Sequence, residues 1–195
     1  MSIAVNGLTD HIDQLNKELQ QTKTQLESIQ QMVDVDPVSV IPNRHALVKR
    51  LSWSIAMNKR YNGPSSIIVF SITDFESISR TYGYQAGSRV GNYVAEFITN
   101  NIRDTDYLAR INENQYGAIM YFADLADVQA KAERMCAQIR QAPFRWNNSL
   151  VNILLAYGVH AITPADDPES AILNASNAMH VNNSKLKFEQ INFKA

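Results

Sequence analysis

The stretch that most limits how this chain can fold is "DYLARINENQYGAIMY", Asp106 to Tyr121. Tyr107, Ala109 and Ile111 alternate on the way in, and Tyr116, Ala118 and Met120 on the way out. Ile119 and Tyr121 fall on the other face of the second run. Period-two alternation of this kind is the pattern of two strands meeting at a turn. The turn itself is Asn-Glu-Asn-Gln, without the glycine that a tight hairpin ordinarily takes. It is a bend, a site, or a site that has been lost.

Helices and strands alternate around this hairpin. "IPNRHALVKRLSWSIAMNKRY" starts a helix at Pro42-Asn43, with a stripe through Leu47, Leu51, Ile55 and Met57, and Asn62-Gly63-Pro64 punctuates its end. "SSIIVFSI" is apolar and β-branched, a buried strand. Helices are expected over 89–102, with Val90, Val94, Phe97 and Ile98 on one side, over 126–141, and over 169–185. "SLVNILLAYGVHAI" reads as one long strand. The order gives an α+β fold with helices against a sheet.

The first segment, 1–35, stands apart from the domain expected over 36–195. Leu8, Ile12, Leu15, Leu19, Thr22, Leu26, Ile29 and Val33 are spaced alternately four and three apart, an a/d seam of about four heptads. Asp10 offers a cap near its start and Pro37 a stop. The stripe is narrow and the other faces are polar, so a coiled-coil helix pairing in parallel with a second copy is expected. Docking of that helix on its own domain is the alternative. Thr22 weakens the seam locally.

The formal net charge of −1 calls for neither nucleic acid nor an anionic membrane. A single cysteine, Cys136, excludes an intrachain disulfide and a cysteine metal cluster. His11, His45, His160 and His180 lack metal-ligand spacing. With no apolar run approaching ~18 residues, no membrane insertion and a cytoplasmic location are expected.

Taken together, five stretches in order resemble the GGDEF (diguanylate cyclase) family over 36–187. "DPVSVIPNRHAL" is similar to D-x-L-T-G-L-x-N-R-R, and "VFSITDFESISRTYGYQAGSRV" to the family's stretch after the first strand. "DYLARINENQYGAIM" stands where the signature lies, "LLAYGVHAI" where a strand reads V-S-I-G-V-A, and "ASNAMHVNNSKLK" where a late helix does. The resemblance implies a cyclase-like palm, with a central mixed sheet of about five strands flanked by helices. In active members, two carboxylates hold two Mg²⁺ ions that bind the triphosphate and activate the attacking hydroxyl.

Against that pattern the first metal Asp corresponds to Ser71, with Thr73 two residues on, and the signature becomes Asn112, Glu113, Asn114 and Gln115. Glu76 takes the place of a phosphate-side lysine. Ser79 and Ser88 stand for the guanine-reading pair, and Asn183 and Lys187 for the late phosphate Lys and Arg. Asn43 and Lys187 alone keep something usable. Hard cations on phosphate need carboxylate oxygens. The expectation is therefore of no Mg²⁺, no cofactor, a catalytic site lost, and a protein that is not an enzyme.

Five residues before the turn stands "RDTD", Arg103 to Asp106, at the offset of the family's R-x-x-D inhibitory site, and "KAERMC" places Arg134 at the spacing of its second arginine. In family members with this site, such residues bind cyclic di-GMP. An arginine fork pairs with guanine O6 and N7 or with phosphate, and a carboxylate accepts from guanine N–H groups. The expected function is a cyclic di-GMP receptor through Arg103, Asp106 and Arg134, acting on an unidentified signalling protein. The alternative is a nucleotide-independent dimeric scaffold; residual cyclase activity or GTP binding is a third reading.

Overall fold

The computed structural model describes residues 2–32 and 34–192. Val33 lies outside them, as do the side chains of Leu8 and Lys187. The chain falls into two compact units, Met1–Asp34 and Val35–Ala195.

The first unit is the helix α1 (Ser2–Met32). It begins before Asp10 and ends before Pro37, because a lone Gly7 costs a helix only about 1 kcal/mol and nothing stronger interrupts it. Ile12, Leu15, Leu19, Leu26 and Ile29 along its seam are each 52–58% exposed. Among the described residues no helix is long and apolar enough to cross a membrane.

The second unit runs α2 (Arg44–Tyr61), β1 (Ser65–Ile72), α3 (Phe75–Tyr82), α4 (Tyr84–Asn101), β2 (Tyr107–Asn112), β3 (Gln115–Tyr121), α5 (Leu125–Gln141), β4 (Phe144–Trp146), β5 (Ser149–Val151), β6 (Leu155–Ala161) and α6 (Pro168–Asn192). Asn43 caps α2, its side chain accepting the Ala46 N–H at 3.0 Å. One sheet has the order β2-β3-β1-β6. Every pairing in it is antiparallel. β1 lies inside it, buried at all eight positions as its apolar run requires.

Helices cover both faces. Phe70, Ile72, Tyr116 and Ala118 meet Val90, Val94 and Ile98 of α4 and Val128, Ala132 and Ile139 of α5. Ile67, Val69 and Ile119 meet Leu47 and Leu51 of α2 and Ala171, Ala175 and Met179 of α6.

Three expectations are corrected. The main sheet is four-stranded and antiparallel, not mixed and five-stranded. The backbone of the segment before α2 pairs with it at an isolated parallel bridge, Asn43 to Arg110, rather than as a fifth strand. Pro42 has no N–H to extend the ladder, and the helix starts directly afterwards. The long strand over 149–162 is two strands, since β5 turns back on β4 as a separate hairpin with Asn147 left-handed at φ 51°. The buried face of α2 continues through Ser54 and Asn58, whereas Ile55 and Met57 are half-buried. Asn58 donates to Ser65 Oγ (2.8 Å) and to the Ile162 carbonyl (2.9 Å), which makes its burial tolerable.

α6 lies on β6 at Gly158, where an added Cβ would sit 2.1 Å from the Met179 nitrogen and 2.2 Å from the Ala175 carbonyl oxygen. Backbone cannot rotate aside as a side chain can, so Gly158→Ala should destabilise the domain by about 3 kcal/mol or more. Urea unfolding measures this, and a midpoint equal to that of the parent chain contradicts the packing described.

Candidate functional site

The hairpin carries chemistry at both ends. At the turn, β2 and β3 are joined through Glu113 and Asn114, with a register shift between Arg110 and Asn112. None of Asn112, Glu113, Asn114 and Gln115 is left-handed: among the described residues, the positive-φ residues other than glycine are Val40, Asn62, Phe122 and Asn147. Side chains close the turn instead. Asn112 Oδ1 accepts the Asn114 N–H (3.1 Å), and Asn112 Nδ2 donates to Gln115 Oε1 (2.9 Å). Asn114 Nδ2 donates to Ser71 Oγ (3.4 Å) and the Ile72 carbonyl (3.3 Å).

Beneath the turn lies Arg110, 5% exposed. Its Nε donates to the Asn112 carbonyl (3.1 Å), Nη2 to the Glu113 carbonyl (2.8 Å) and Nη1 to Asp36 Oδ1 (3.2 Å). The same Asp36 oxygen accepts the Ser39 N–H (2.7 Å) and hydroxyl (2.6 Å). Burial alone would raise the Asp36 carboxyl, but the bonds from Ser39 and the charge of Arg110 outweigh it and hold it below the ordinary carboxylate value.

The structure brings Ser71, Asn112, Asn114 and Gln115 together. Thr73 is nearby, its N–H on the Leu154 carbonyl (3.0 Å). Glu76 is exposed on the first turn of α3. Ser79 and Ser88 lie on α3 and α4, and Asn183 on α6; the Ser79 hydroxyl and Asn183 Oδ1 are buried without a hydrogen-bond partner among the described residues. The two Mg²⁺ ions that the resemblance implies need hard, charged oxygen donors, and hydroxyl and amide groups already bonded to one another do not fit that pair. Among the described residues no group of three or more His, Cys, Asp or Glu side chains could hold a metal ion. Cys136 is buried in α5, and burial pushes its thiol up to about 12.

At the far end of the hairpin a groove of about 990 Å³ opens between α5 and the connection from α4 to β2. Arg103, Asp106 and Arg134 all line it, as do Asp127, Lys131 and Phe122. Just past the C-terminus of α4, Arg103 and Asp106 form a turn closed in both directions. The Arg103 N–H donates to Asp106 Oδ2 (2.9 Å), and the Asp106 N–H donates to the Arg103 carbonyl (2.9 Å). Asp106 Oδ1 accepts the Tyr121 N–H (3.2 Å), so this carboxylate, 9% exposed, ties the turn to the end of β3.

Arg103 and Arg134 are exposed. Among the described residues neither guanidinium has an ion-pair or hydrogen-bond partner. Asp127, Lys131 and Arg134 follow a spacing of four and three along α5, the helical signal that places them on one face. The sequence held that signal, but nothing in it announced the groove.

A family model described as "Diguanylate cyclase, GGDEF domain" matches residues 33–187. The chain belongs to the GGDEF family. It is 24% identical over 176 residues to diguanylate cyclase DgcP of Pseudomonas aeruginosa, covering 90% of this chain but only 26% of that protein. The chain thus spans about a quarter of that relative's length. The fold is shared with the GGDEF domain of DgcB from Caulobacter crescentus in complex with c-di-GMP, at TM-score 0.75 and 19% identity over 78% of this chain and 91% of that one. It is also shared with diguanylate cyclase SiaD in complex with its activator SiaC from Pseudomonas aeruginosa, at TM-score 0.74 and 18% identity over 90% and 68% of the two chains. These findings overturn the expectation of a protein that is not an enzyme, because the family is that of an enzyme and the curated relative is named as one.

The Asp36 carboxyl, held low when folded, contributes stability that is present above its unfolded value and is lost as pH falls through the folded one. Asp166 behaves alike. Burial alone would raise it, but hydrogen bonds from Thr163 and from His160 hold it down. Stability should therefore fall below about pH 4, and Asp36→Asn should reduce stability at neutral pH while flattening that acid limb. Urea midpoints taken at successive pH values test this; an unchanged acid slope in Asp36→Asn contradicts it.

Proposed function

We propose that this GGDEF domain binds cyclic di-GMP in the groove lined by Arg103, Asp106 and Arg134, and that ligand occupancy is relayed to a signalling protein. One observation carries the reading. Cations from two separate elements, the turn after α4 and the helix α5, line one groove without partners among the described residues. A guanidinium offers charge-assisted, bidentate hydrogen bonds to a phosphodiester or to a guanine edge. Asp106 sets the place of Arg103 through the doubly closed turn, and the second lone pairs of its oxygens remain available to guanine N–H groups.

The rest of the groove selects among anions. Asp124, Asp127 and Glu133 line it beside Lys131, so a diffuse anion gains little from it. A ligand that places its phosphates on the guanidiniums and its hydrogen-bond donors on the carboxylates gains from both signs. Cyclic di-GMP has this arrangement. The neighbour DgcB was solved with c-di-GMP, and SiaD with a protein partner, which makes both kinds of ligand reasonable for this fold.

Self-association through α1 completes the proposal. A seam of more than half-exposed Ile and Leu side chains over several heptads is the pattern of one strand of a two-stranded coil.

Calorimetry on the full chain, freed of endogenous nucleotide, tests the reading. Cyclic di-GMP should bind, and Arg103→Ala and Arg134→Ala should each weaken it about tenfold or more. Absence of heat, or binding unchanged in both variants, contradicts it and favours a nucleotide-independent scaffold. Incubation of the same preparation with GTP and Mg²⁺ establishes whether the nucleotide is also made there.

A further inference from the structure

Phe122, the residue just past β3, combines three properties that rarely occur together. It is 79% exposed, and its backbone is left-handed at φ 50°. That conformation is uncommon for any residue with a side chain, and bulky ones in it are outliers held by their surroundings. It also lies on the rim between two hollows. One is the groove of Arg103 and Arg134; the other, about 550 Å³, is lined by Trp53, Tyr61, Arg50, Asp104, Thr105 and neighbours. Pro64, Tyr121 and Phe122 line both.

The second hollow is aromatic by construction. Trp53 and Tyr61 are exposed large apolar side chains on α2, and Trp53 meets Tyr121 edge to face with ring centroids 5.9 Å apart. The Arg50 guanidinium lies 4.8 Å from the Trp53 ring and 5.7 Å from the Tyr121 ring, and its Nε is buried without a hydrogen-bond partner among the described residues. At the mouth, Gly63 carries no side chain, and a Cβ added there would come within 3.3 Å of the Phe122 ring. The two hollows also share the Arg103–Asp106 turn: its ends, Arg103 and Asp106, line the charged groove, and its middle residues, Asp104 and Thr105, line the aromatic hollow.

We infer that Phe122 is a stacking residue for a nucleobase, and that the aromatic hollow between it and Trp53 receives one purine of the cyclic dinucleotide whose phosphates lie on Arg103 and Arg134. The inference rests on the function proposed above and adds a base subsite to it. The occupant follows from continuity with the charged groove. A ligand held there by its phosphates carries planar, apolar-faced bases, and an aromatic-lined hollow joins that groove at the turn that positions Arg103. An exposed ring is unfavourable in water but gains contact over the face on which a base lies, and the positive charge of Arg50 suits the electron-rich edge of guanine. An aliphatic peptide would use the hollow without using the adjoining guanidiniums.

The test uses the full chain and a cyclic di-GMP analogue in which one base is a fluorescent purine quenched by stacking. Binding to the parent chain should quench the analogue, and Phe122→Tyr should preserve both affinity and quenching. Phe122→Ala should weaken binding about tenfold and abolish most of the quenching. Phe122→Gly should behave as Phe122→Ala does while relieving the left-handed backbone, which separates loss of stacking from loss of fold. If the parent chain binds cyclic di-GMP but Phe122→Ala binds within twofold with the same quenching, the base subsite is wrong and the receptor reading stands. If the parent chain does not bind at all, both fall.

Discussion

The arrangement of this domain depends on the buried guanidinium of Arg110. An unpaired charge at that depth would cost several kcal/mol, so the surrounding chain is organised to satisfy it. Two turn carbonyls, at 112 and 113, and the Asp36 carboxylate each accept from one of its three nitrogens. Tyr116, below it, donates its hydroxyl to the Gly91 carbonyl of α4 (2.8 Å). Gly91 keeps the space open, since a Cβ there would stand 3.0 Å from Arg110 Nη2. One side chain thus fixes the hairpin turn, the segment leading into the domain and the approach of α4. The register it sets for β3 carries along the strand to its other end, where Asp106 holds the Tyr121 N–H.

The two ends of the hairpin have diverged in chemistry. At the turn, neutral side chains bond to one another, and Asn114 reaches Ser71 directly. At the groove, Arg103 and Arg134 remain exposed and without partners among the described residues. Membership of a family of diguanylate cyclases does not change what either end offers chemically. It does replace the inference from lost carboxylates to a non-enzyme, because the family and the curated relative are named as diguanylate cyclases.

Where local patterning determines structure, the sequence was readable. The alternation around 107–121, the apolar run of β1 and the stripe of Val90, Val94 and Ile98 all reappear in the core. Features decided by distant partners were not. Ser54 and Asn58 occupy a buried face because Ser65 and Ile162 happen to meet them. α3 is only eight residues long, too short for a period to show. The closure of a glycine-free turn required Arg110, whose role as a clamp nothing local disclosed. Arg103, Asp106 and Arg134 were recognisable through the resemblance to the family's inhibitory site, and they do line one groove. Phe122 was not, since its φ and its place between two hollows follow from how β3 ends.

The most direct measurement is a crystal structure of the full chain grown with cyclic di-GMP. Ligand density is expected between the turn at 103–106 and α5, with phosphate or guanine oxygens within hydrogen-bonding distance of both the Arg103 and Arg134 guanidiniums. An empty groove, with those arginines turned onto Asp124, Asp127 or Glu133, or ligand bound only at the turn of Asn112–Gln115, would contradict it.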